Sequence, residues 1–198
     1  MQASSQLRRR LGSIAAHLTA PQTQPTRLLH SSPVSAMAGV AKVGDQLPDV
    51  TLYEGQPNYG APKEVRLREL FAGKKGILFA VPGAFTPGCS KSHLPSYVQD
   101  YDLLRSKGVE VIVCTATNDA YVMYAWGVDQ KVGDKIRMLS DKDAKLATAL
   151  GVANQSGCIT RSGRYSAVVV DNKLASFNLQ TAGGDLSCTL SNVIMSQV

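Results

Sequence analysis

No apolar run in this sequence of 198 residues approaches the roughly 20 residues that a membrane-spanning helix needs. The four cysteines are too few and too scattered for a secreted disulfide framework. A C-x-x-C pair is also missing, which argues against a zinc ribbon and against a thioredoxin-type redox pair. We therefore expect a globular protein with free thiols, no membrane partner and no bound metal.

Acidic residues are missing from the first 44 positions, which carry five basic ones: Arg8, Arg9, Arg10, Arg27 and Lys42. Beyond them, the other 16 of the 21 Lys and Arg residues are balanced by 15 Asp and Glu residues. Of the net charge of +6, +5 therefore belongs to the N-terminal stretch. Because the rest of the chain is close to neutral, nucleic acid is not an expected partner.

The N-terminal stretch has the composition of a mitochondrial transit peptide. It is rich in Arg, Ser and Thr, is interrupted by prolines, and includes a segment, residues 8–18, with the pattern of a short basic amphipathic helix. Its apolar stretch LGSIAAHL is a poor core for a secretory signal. We predict a mitochondrial presequence over residues 1–37, cleaved between Arg27 and Met37, and one domain over residues 38–198.

Three other readings bear on localisation. One alternative is that the N-terminal stretch is a plain disordered tail. Another is that translation starts internally at Met37, which would give a cytosolic form. The C-terminal Ser196-Gln197-Val198 resembles a peroxisomal tripeptide but lacks the final leucine. Peroxisomal import is therefore not expected.

Apolar runs alternate with helical patterns along the predicted domain. GILFAVP (76–82) and VEVIVCTAT (109–117) are typical of strands buried on both faces. Shorter strand candidates are VTLYEG (50–55), IRMLSD (136–141), YSAVVVDN (165–172) and its hairpin partner KLASFNLQ (173–180). Helices are predicted in VRLRELFAG (65–73), SKSHLPSYVQDYDLLRSKG (90–108, kinked at Pro95), NDAYVMYAWGVDQ (118–130), DAKLATALG (143–151) and TLSNVIMSQV (189–198). This alternation predicts an α/β fold with a central mixed sheet flanked by helices.

The segment VPGAFTPGCSKSHLP (81–95) nearly spells a phosphate-binding loop. Its glycines and Ser90 have the required spacing, but Cys89 occupies the lysine position and Lys91 comes two places late. Pro87 also removes one of the backbone N–H groups that such a loop uses. Nucleotide binding is therefore not expected, and the segment is better explained as a site built around a thiol.

Cys89 stands where the first turn of the following helix is predicted. A helix N-terminus carries about half a positive charge and unpaired N–H groups, which favour the thiolate, the nucleophilic form of cysteine. Thr86, three residues earlier, can direct its hydroxyl to the sulfur or to a bound substrate. The spacing alone leaves a second reading open, in which Cys89 is a buried and inert thiol.

Pro82-x-x-x-Thr86-x-x-Cys89 resembles the active-site pattern of the peroxiredoxins. The whole stretch 81–95 resembles their atypical two-cysteine class, the peroxiredoxin-5 family. Three later blocks are also similar to that family: KGVEVIVCTATNDAYVMYAWG, RYSAVVVDN and DLSCTLSNVIMSQV. The resemblance extends over nearly all of 40–198, and it implies a thioredoxin fold and a thiol peroxidase without cofactor or metal.

The resemblance implies a role for each residue around the thiol. Cys89 is expected to attack the peroxide as a thiolate and to become a sulfenic acid. Thr86 and Gly88 are expected to bind the peroxide, and Pro82 to shield the oxidised sulfur from water. Arg164 is expected to stabilise the thiolate and the leaving oxygen. We prefer Arg164 to the nearby Arg161 because it abuts the strand YSAVVV, as the family's arginine does.

Cys188 matches the resolving cysteine of the family. It is expected to attack the sulfenic acid and to close an intramolecular disulfide, which thioredoxin then reduces by thiol–disulfide exchange. The alternative is that Cys188 is a spectator. The implied substrates are hydrogen peroxide, organic hydroperoxides and peroxynitrite, and the implied state is a monomer or a non-covalent homodimer.

Other chemistry-bearing residues have plainer explanations. Cys114 is expected in the core, and Cys158 on an exposed loop that is shorter than usual in the family, which leaves open a competing resolving role. His93 lies four residues after Cys89, a spacing that could suggest a metal site, but two ligands alone make a weak one. His93 is therefore expected to pack or hydrogen-bond near the site. Trp126 and Tyr121 are expected in the core or at an interface.

Two further functions stay open beside the thioredoxin-dependent peroxidase. One is a one-cysteine peroxidase recycled by glutathione or glutaredoxin, in which Cys188 is dispensable. The other is a redox-sensing interaction protein that passes oxidation to partner proteins. It would form mixed disulfides on Cys89 and turn over slowly.

Overall fold

The computed structural model describes residues 39–181 and 185–198. The predicted presequence, residues 1–37, lies outside the described residues. The strands are β1 (Thr51–Glu54), β2 (Lys63–Arg66), β3 (Lys75–Ala80), β4 (Val111–Ala116), β5 (Arg137–Ser140), β6 (Ala153–Ser156), β7 (Ile159–Ser162), β8 (Tyr165–Val170), β9 (Lys173–Leu174) and β10 (Asn178–Leu179). The α-helices are α1 (Leu67–Phe71), α2 (Leu94–Gln99), α3 (Tyr101–Ser106), α4 (Ala120–Asp129), α5 (Lys145–Ala149) and α6 (Ser191–Met195).

The predicted central mixed sheet is confirmed. Its order is β10-β8-β3-β4-β5-β1-β2, with β9 also paired to β8. Strands β3, β4 and β5 run parallel, whereas β8 lies antiparallel to β3 and β1 antiparallel to β5. The two long apolar runs of the sequence form β3 and β4 at the centre, as expected for strands that are buried on both faces.

Helices cover the two faces of the sheet and create two cores. Successive strand residues point to opposite faces, so Ile77 and Phe79 join one core while Leu78 and Ala80 join the other. The first of these cores also contains Cys89 and Trp126. The same alternation along the chain sends Val168 of β8 to the Cys89 side of the sheet.

The helix predicted over residues 90–108 is divided into three pieces. A π-helical turn, Cys89–His93, precedes α2, and Asp100 separates α2 from α3. Pro95 is the second residue of α2 and follows directly on the π-helical turn. Helix α5 begins at Lys145, two residues later than predicted, and the N–H groups of Leu146 and Ala147 donate to the Asp141 carboxylate.

Two C-terminal predictions need correction. The stretch that was expected to be a loop before Arg164 forms a separate antiparallel hairpin of β6 and β7, with Gly157 in a left-handed conformation at its turn. The partner of β8 is split into β9 and β10, which pair with different parts of β8. Within the described residues, the helices are too short or too polar to cross a membrane.

Candidate active site

The loop after β3 delivers Cys89 to the first position of the π-helical turn. The side chain is fully buried. The turn is tight: the N–H of Ser90 donates to the Thr86 carbonyl at 2.9 Å, and the Thr86 hydroxyl donates to the Gly83 carbonyl at 2.8 Å. Phe85, which lies between Gly83 and Thr86 in the chain, has a left-handed backbone with φ of 58°, an uncommon conformation for an aromatic residue.

Arg164 approaches the thiol from the start of β8. Its Nη2 donates to Cys89 Sγ at 3.3 Å, Nη1 lies 3.0 Å from His93 Nδ1, and Nε donates to Gln180 Oε1 at 2.9 Å. The side chain is only 8% exposed. Three partners fix the orientation of the guanidinium, which is rigid and always charged. The site therefore holds a fixed positive charge against the sulfur.

His93 supports Arg164 from the other end of the π-helical turn. Burial, together with the Arg164 charge, lowers the pKa of His93 to about 3, so the ring is neutral and carries one N–H. Because a guanidinium can only donate, Nδ1 must accept from Arg164. The N–H is then on Nε2 and donates to the Thr189 carbonyl, 2.9 Å away.

The C-terminal segment packs against this site. The Thr189 carbonyl also accepts from the Tyr97 hydroxyl at 2.7 Å, and burial raises the pKa of Tyr97, so that hydroxyl keeps its proton. Ser191 is anchored to α2 by its N–H, which donates to Ser96 Oγ at 3.2 Å. A 3-10 turn, Leu186–Thr189, carries Cys188, which is half-buried.

The sequence-predicted residues are placed as follows. Cys89 and Arg164 are in direct contact, and the Thr86 hydroxyl is turned to the Gly83 carbonyl instead of the sulfur. A methyl group on Gly88 would lie 3.5 Å from Arg164 Nη2 and 3.4 Å from Leu186 Cδ2, so Gly88 separates the arginine from the C-terminal turn. The Cys188 sulfur lies 3.8 Å from the Asp185 carbonyl.

Sequence reasoning missed two features of the site. Pro82 presents its carbonyl to Arg161, the arginine that was set aside, at 2.7 Å. Gln180 orients Arg164, and no local motif marks this residue because the contact depends on the pairing of β10 with β8. Trp126 is buried and donates to Ser90 Oγ at 3.1 Å, whereas Tyr121 is exposed.

Cys114 and Cys158 take no part in the hydrogen bonds described above. All four cysteines are free thiols; Cys114 is buried in β4 and Cys158 is exposed at the β6–β7 turn. Burial, together with the neighbouring Cys89, raises the pKa of Cys114 well above its usual value, which keeps it a protonated thiol. Among the described residues, no group of three or more His, Cys, Asp or Glu side chains is arranged to hold a metal ion.

Comparison with known proteins shows the family of the chain. The Redoxin family model matches residues 42–189. The chain is 43% identical over 163 residues to the chloroplastic Peroxiredoxin-2E of Arabidopsis thaliana, covering 80% of this chain and 68% of the relative. It is 35% identical over 135 residues to the mitochondrial Peroxiredoxin-2F of Oryza sativa subsp. japonica, covering 67% and 68%.

The chain belongs to the peroxiredoxin family. Its structure agrees with two solved peroxiredoxins, both 36% identical to it: reduced Prx3 from Vibrio vulnificus in complex with hydrogen peroxide, with a TM-score of 0.74, and peroxiredoxin 5 from Alvinella pompejana, with a TM-score of 0.67. Each alignment covers 79% of this chain, and 98% and 97% of the respective structures. The predicted thioredoxin fold is confirmed, and the chain is an oxidoreductase, a thiol-dependent peroxidase.

Proposed function

We propose that Cys89 is the peroxidatic residue and that it reduces hydrogen peroxide and organic hydroperoxides, with peroxynitrite as a further substrate. The Cys89 thiolate attacks the terminal peroxide oxygen, the O–O bond breaks, and the leaving oxygen takes a proton to depart as water or an alcohol. The sulfur becomes a sulfenic acid. The observation that carries this proposal is the 3.3 Å contact between Arg164 Nη2 and Cys89 Sγ.

Arg164 acts on both charged species of the reaction. Its guanidinium stabilises the thiolate before attack and the negative charge that develops on the leaving oxygen during it. The neutral ring of His93 and the Gln180 amide hold the arginine in place, so little reorganisation is needed when the charge moves. Its low exposure strengthens this electrostatic effect, because water screens the charge less.

Thr86, Gly88 and Pro82 form the peroxide side of the site. A hydroxyl has one hydrogen and two lone pairs, and the Thr86 hydrogen is committed to the Gly83 carbonyl. Thr86 is therefore an acceptor toward the O–H of a peroxide. Gly88, which puts no side chain between Arg164 Nη2 and Leu186, binds the peroxide beside the arginine, and Pro82 shields the oxidised sulfur from water.

Cys188 resolves the sulfenic acid. Its thiolate attacks the Cys89 sulfur, water leaves, and an intramolecular disulfide forms, which thioredoxin reduces. Because Cys89 is fully buried and a disulfide requires a sulfur–sulfur distance of about 2.05 Å, the π-helical turn or the turn that carries Cys188 must move for this step. The packing of Leu186 near Gly88 supports Cys188 as the partner.

The domain and its destination complete the proposal. We assign residues 1–37 to an organellar presequence because of their Arg-rich, acid-free composition, and we propose the mitochondrion as its destination. Residues 38–198 form the catalytic domain, which works as a monomer or a non-covalent homodimer. N-terminal sequencing of the protein recovered from mitochondria tests the cleavage site, and a start at Met37 in protein recovered from the cytosol would support the cytosolic form.

Mass spectrometry of the reduced full-length chain, treated with one equivalent of hydrogen peroxide, tests the two-cysteine mechanism. We expect a loss of two hydrogens and a peptide that joins Cys89 to Cys188. A link to Cys158 would move the resolving role to the β6–β7 turn. One added oxygen on Cys89 without a link would support the one-cysteine enzyme, and an unmodified Cys89 would refute the peroxidatic assignment.

Replacing Cys188 by serine tests how the enzyme is recycled. Turnover with thioredoxin is expected to fall to the background rate, because the Cys89 sulfenic acid then has no internal thiol partner, while the first oxidation of Cys89 keeps its native rate. A coupled assay of NADPH consumption measures turnover. Cys158→Ser is the matched control and should keep native turnover. Unchanged turnover in Cys188→Ser would favour recycling by an external thiol.

A further inference from the structure

Arg161 reaches the active-site loop from β7. Its Nη1 donates to the Pro82 carbonyl at 2.7 Å, although 79 residues separate the two in the chain. The side chain is half-buried. It lies on the hairpin of β6 and β7, which is not part of the central sheet. This hydrogen bond joins the hairpin to the loop that leads to Cys89.

Gly83 makes this contact possible. A methyl group built on Gly83 would overlap Arg161 Nη1 and would lie 3.3 Å from Thr86 Cγ2. The guanidinium therefore rests against the bare Cα of Gly83, while the Gly83 carbonyl accepts the Thr86 hydroxyl at 2.8 Å. Arg161 and Thr86 hold two consecutive carbonyls, those of Pro82 and Gly83.

A second side chain holds the next peptide of the same loop. The N–H of Ala84 donates to Asn118 Oδ1 at 2.9 Å. The backbone carbonyl of Asn118 in turn accepts from the Ser140 hydroxyl at 2.6 Å, which ties this anchor to β5. The loop is thus fixed from the sheet at Ala84 and from the hairpin at Pro82.

We infer that Arg161 is a positioning residue for the peroxidase reaction: it fixes the Pro82–Gly83 peptide and so sets the direction of the Thr86 hydroxyl toward the peroxide. The inference rests on the proposed function of Thr86 and Cys89. The described partner of Arg161 is a carbonyl rather than the sulfur, so Arg161 affects how peroxide is held and not how reactive the thiol is.

This role separates two reactions of the same cysteine. Reaction with peroxide needs the aligned Thr86 hydroxyl, whereas alkylation by iodoacetamide needs only an accessible thiolate. Displacing a positioning group by an ångström can reduce a rate by about 100-fold. Loss of Arg161 should therefore slow oxidation selectively. A general loosening of the site would change both reactions together.

The test compares Arg161→Met with the native chain. Oxidation by hydrogen peroxide is followed by stopped-flow fluorescence of Trp126, the one tryptophan, which donates to Ser90 beside Cys89. We expect the oxidation rate constant to fall about 10- to 100-fold and the alkylation rate of Cys89 to stay within about two-fold. Lys142→Met is the matched control, since Lys142 lines the same groove of about 440 Å³ as Arg161 and pairs with Asp143.

A second variant keeps the test decisive if Arg161→Met is poorly folded. Gly83→Ala displaces the guanidinium while it leaves the arginine in the chain, and its oxidation rate should fall by a similar factor. Because both changes break one contact, the double variant Gly83→Ala with Arg161→Met should be no slower than the slower single variant.

Three results for the Arg161 and Gly83 variants would overturn the inference. These are a native oxidation rate in Arg161→Met, an equal fall in oxidation and alkylation, or multiplying losses in the double variant. The proposed function fails differently: the native chain itself would then leave Cys89 unoxidised by peroxide. An effect of Lys142→Met equal to that of Arg161→Met would also refute positioning, because it would assign the effect to charge alone.

Discussion

Replacement of Arg164 by methionine is expected to lower the rate constant for oxidation of Cys89 by hydrogen peroxide about 10²- to 10³-fold, the usual loss when one charge-stabilising donor is removed. The variant removes the donor 3.3 Å from Cys89 Sγ. It also removes the positive charge from the place where negative charge develops on the leaving oxygen. Stopped-flow fluorescence of Trp126, read at several peroxide concentrations, measures the rate constant.

Two further variants show whether the loss comes from the charge or from its placement. Arg164→Lys keeps the charge but cannot contact Cys89, His93 and Gln180 at once, so an intermediate rate is expected. Arg105→Met removes an arginine whose described hydrogen bond goes to the Val109 carbonyl, outside the site, and should leave the rate unchanged. A rate for Arg164→Met within about ten-fold of native would contradict the assigned role.

The sequence predicted the elements of the fold whose signal is local. The apolar runs of β3 and β4 are long, and helix α4 has a clear cap at Asp119, whose side chain accepts from the Val122 N–H. The hairpin of β6 and β7 was missed because all four residues of β6 are exposed and the buried residue of β7 is the polar Ser162, so the hairpin has no buried apolar face to produce an alternating pattern.

The part of the candidate site that could be predicted from the sequence is the part whose residues lie close together in the chain. The spacing of Thr86 and Cys89 marks the loop, but the placement of the segment around β7 and the start of β8 decides which arginine meets the sulfur. Arg161 and Arg164 are three residues apart, yet one contacts Pro82 and the other Cys89. Only the tertiary structure separates a backbone contact from a contact with the reacting atom.

His93 is expected to make the protein sensitive to acid. The pKa of His93 is about 3 in the folded protein against 6.5 for an ordinary histidine, so between these values the unfolded chain binds the extra proton. The free energy of unfolding should therefore decrease as the pH falls below 6.5, by about 1.4 kcal/mol per pH unit. From pH 7.5 to pH 5 the expected loss is about 2 kcal/mol, measured by urea unfolding at each pH.

The surroundings of His93 explain the direction of this change. Protonation would turn Nδ1 into a donor that faces Arg164, and it would place a second positive charge beside the guanidinium. The ring also packs edge-on against Phe79 and Tyr97, with centroids 5.2 Å and 5.7 Å away, and these leave no water to solvate the new charge. Burial raises the pKa of Asp141, so that carboxyl acts in the opposite sense and stabilises the fold as the pH falls toward 4.

The variant His93→Gln isolates this contribution. His93 is the sole histidine after residue 30, so over pH 5 to 6.5 few other groups of the domain titrate in the unfolded chain. The variant should be less stable than the native protein at pH 7.5, because it loses the packed ring, but its stability should change little down to pH 5. A variant with the native pH dependence would show that the proton is taken up elsewhere, and that His93 is not the group that links acidity to folding.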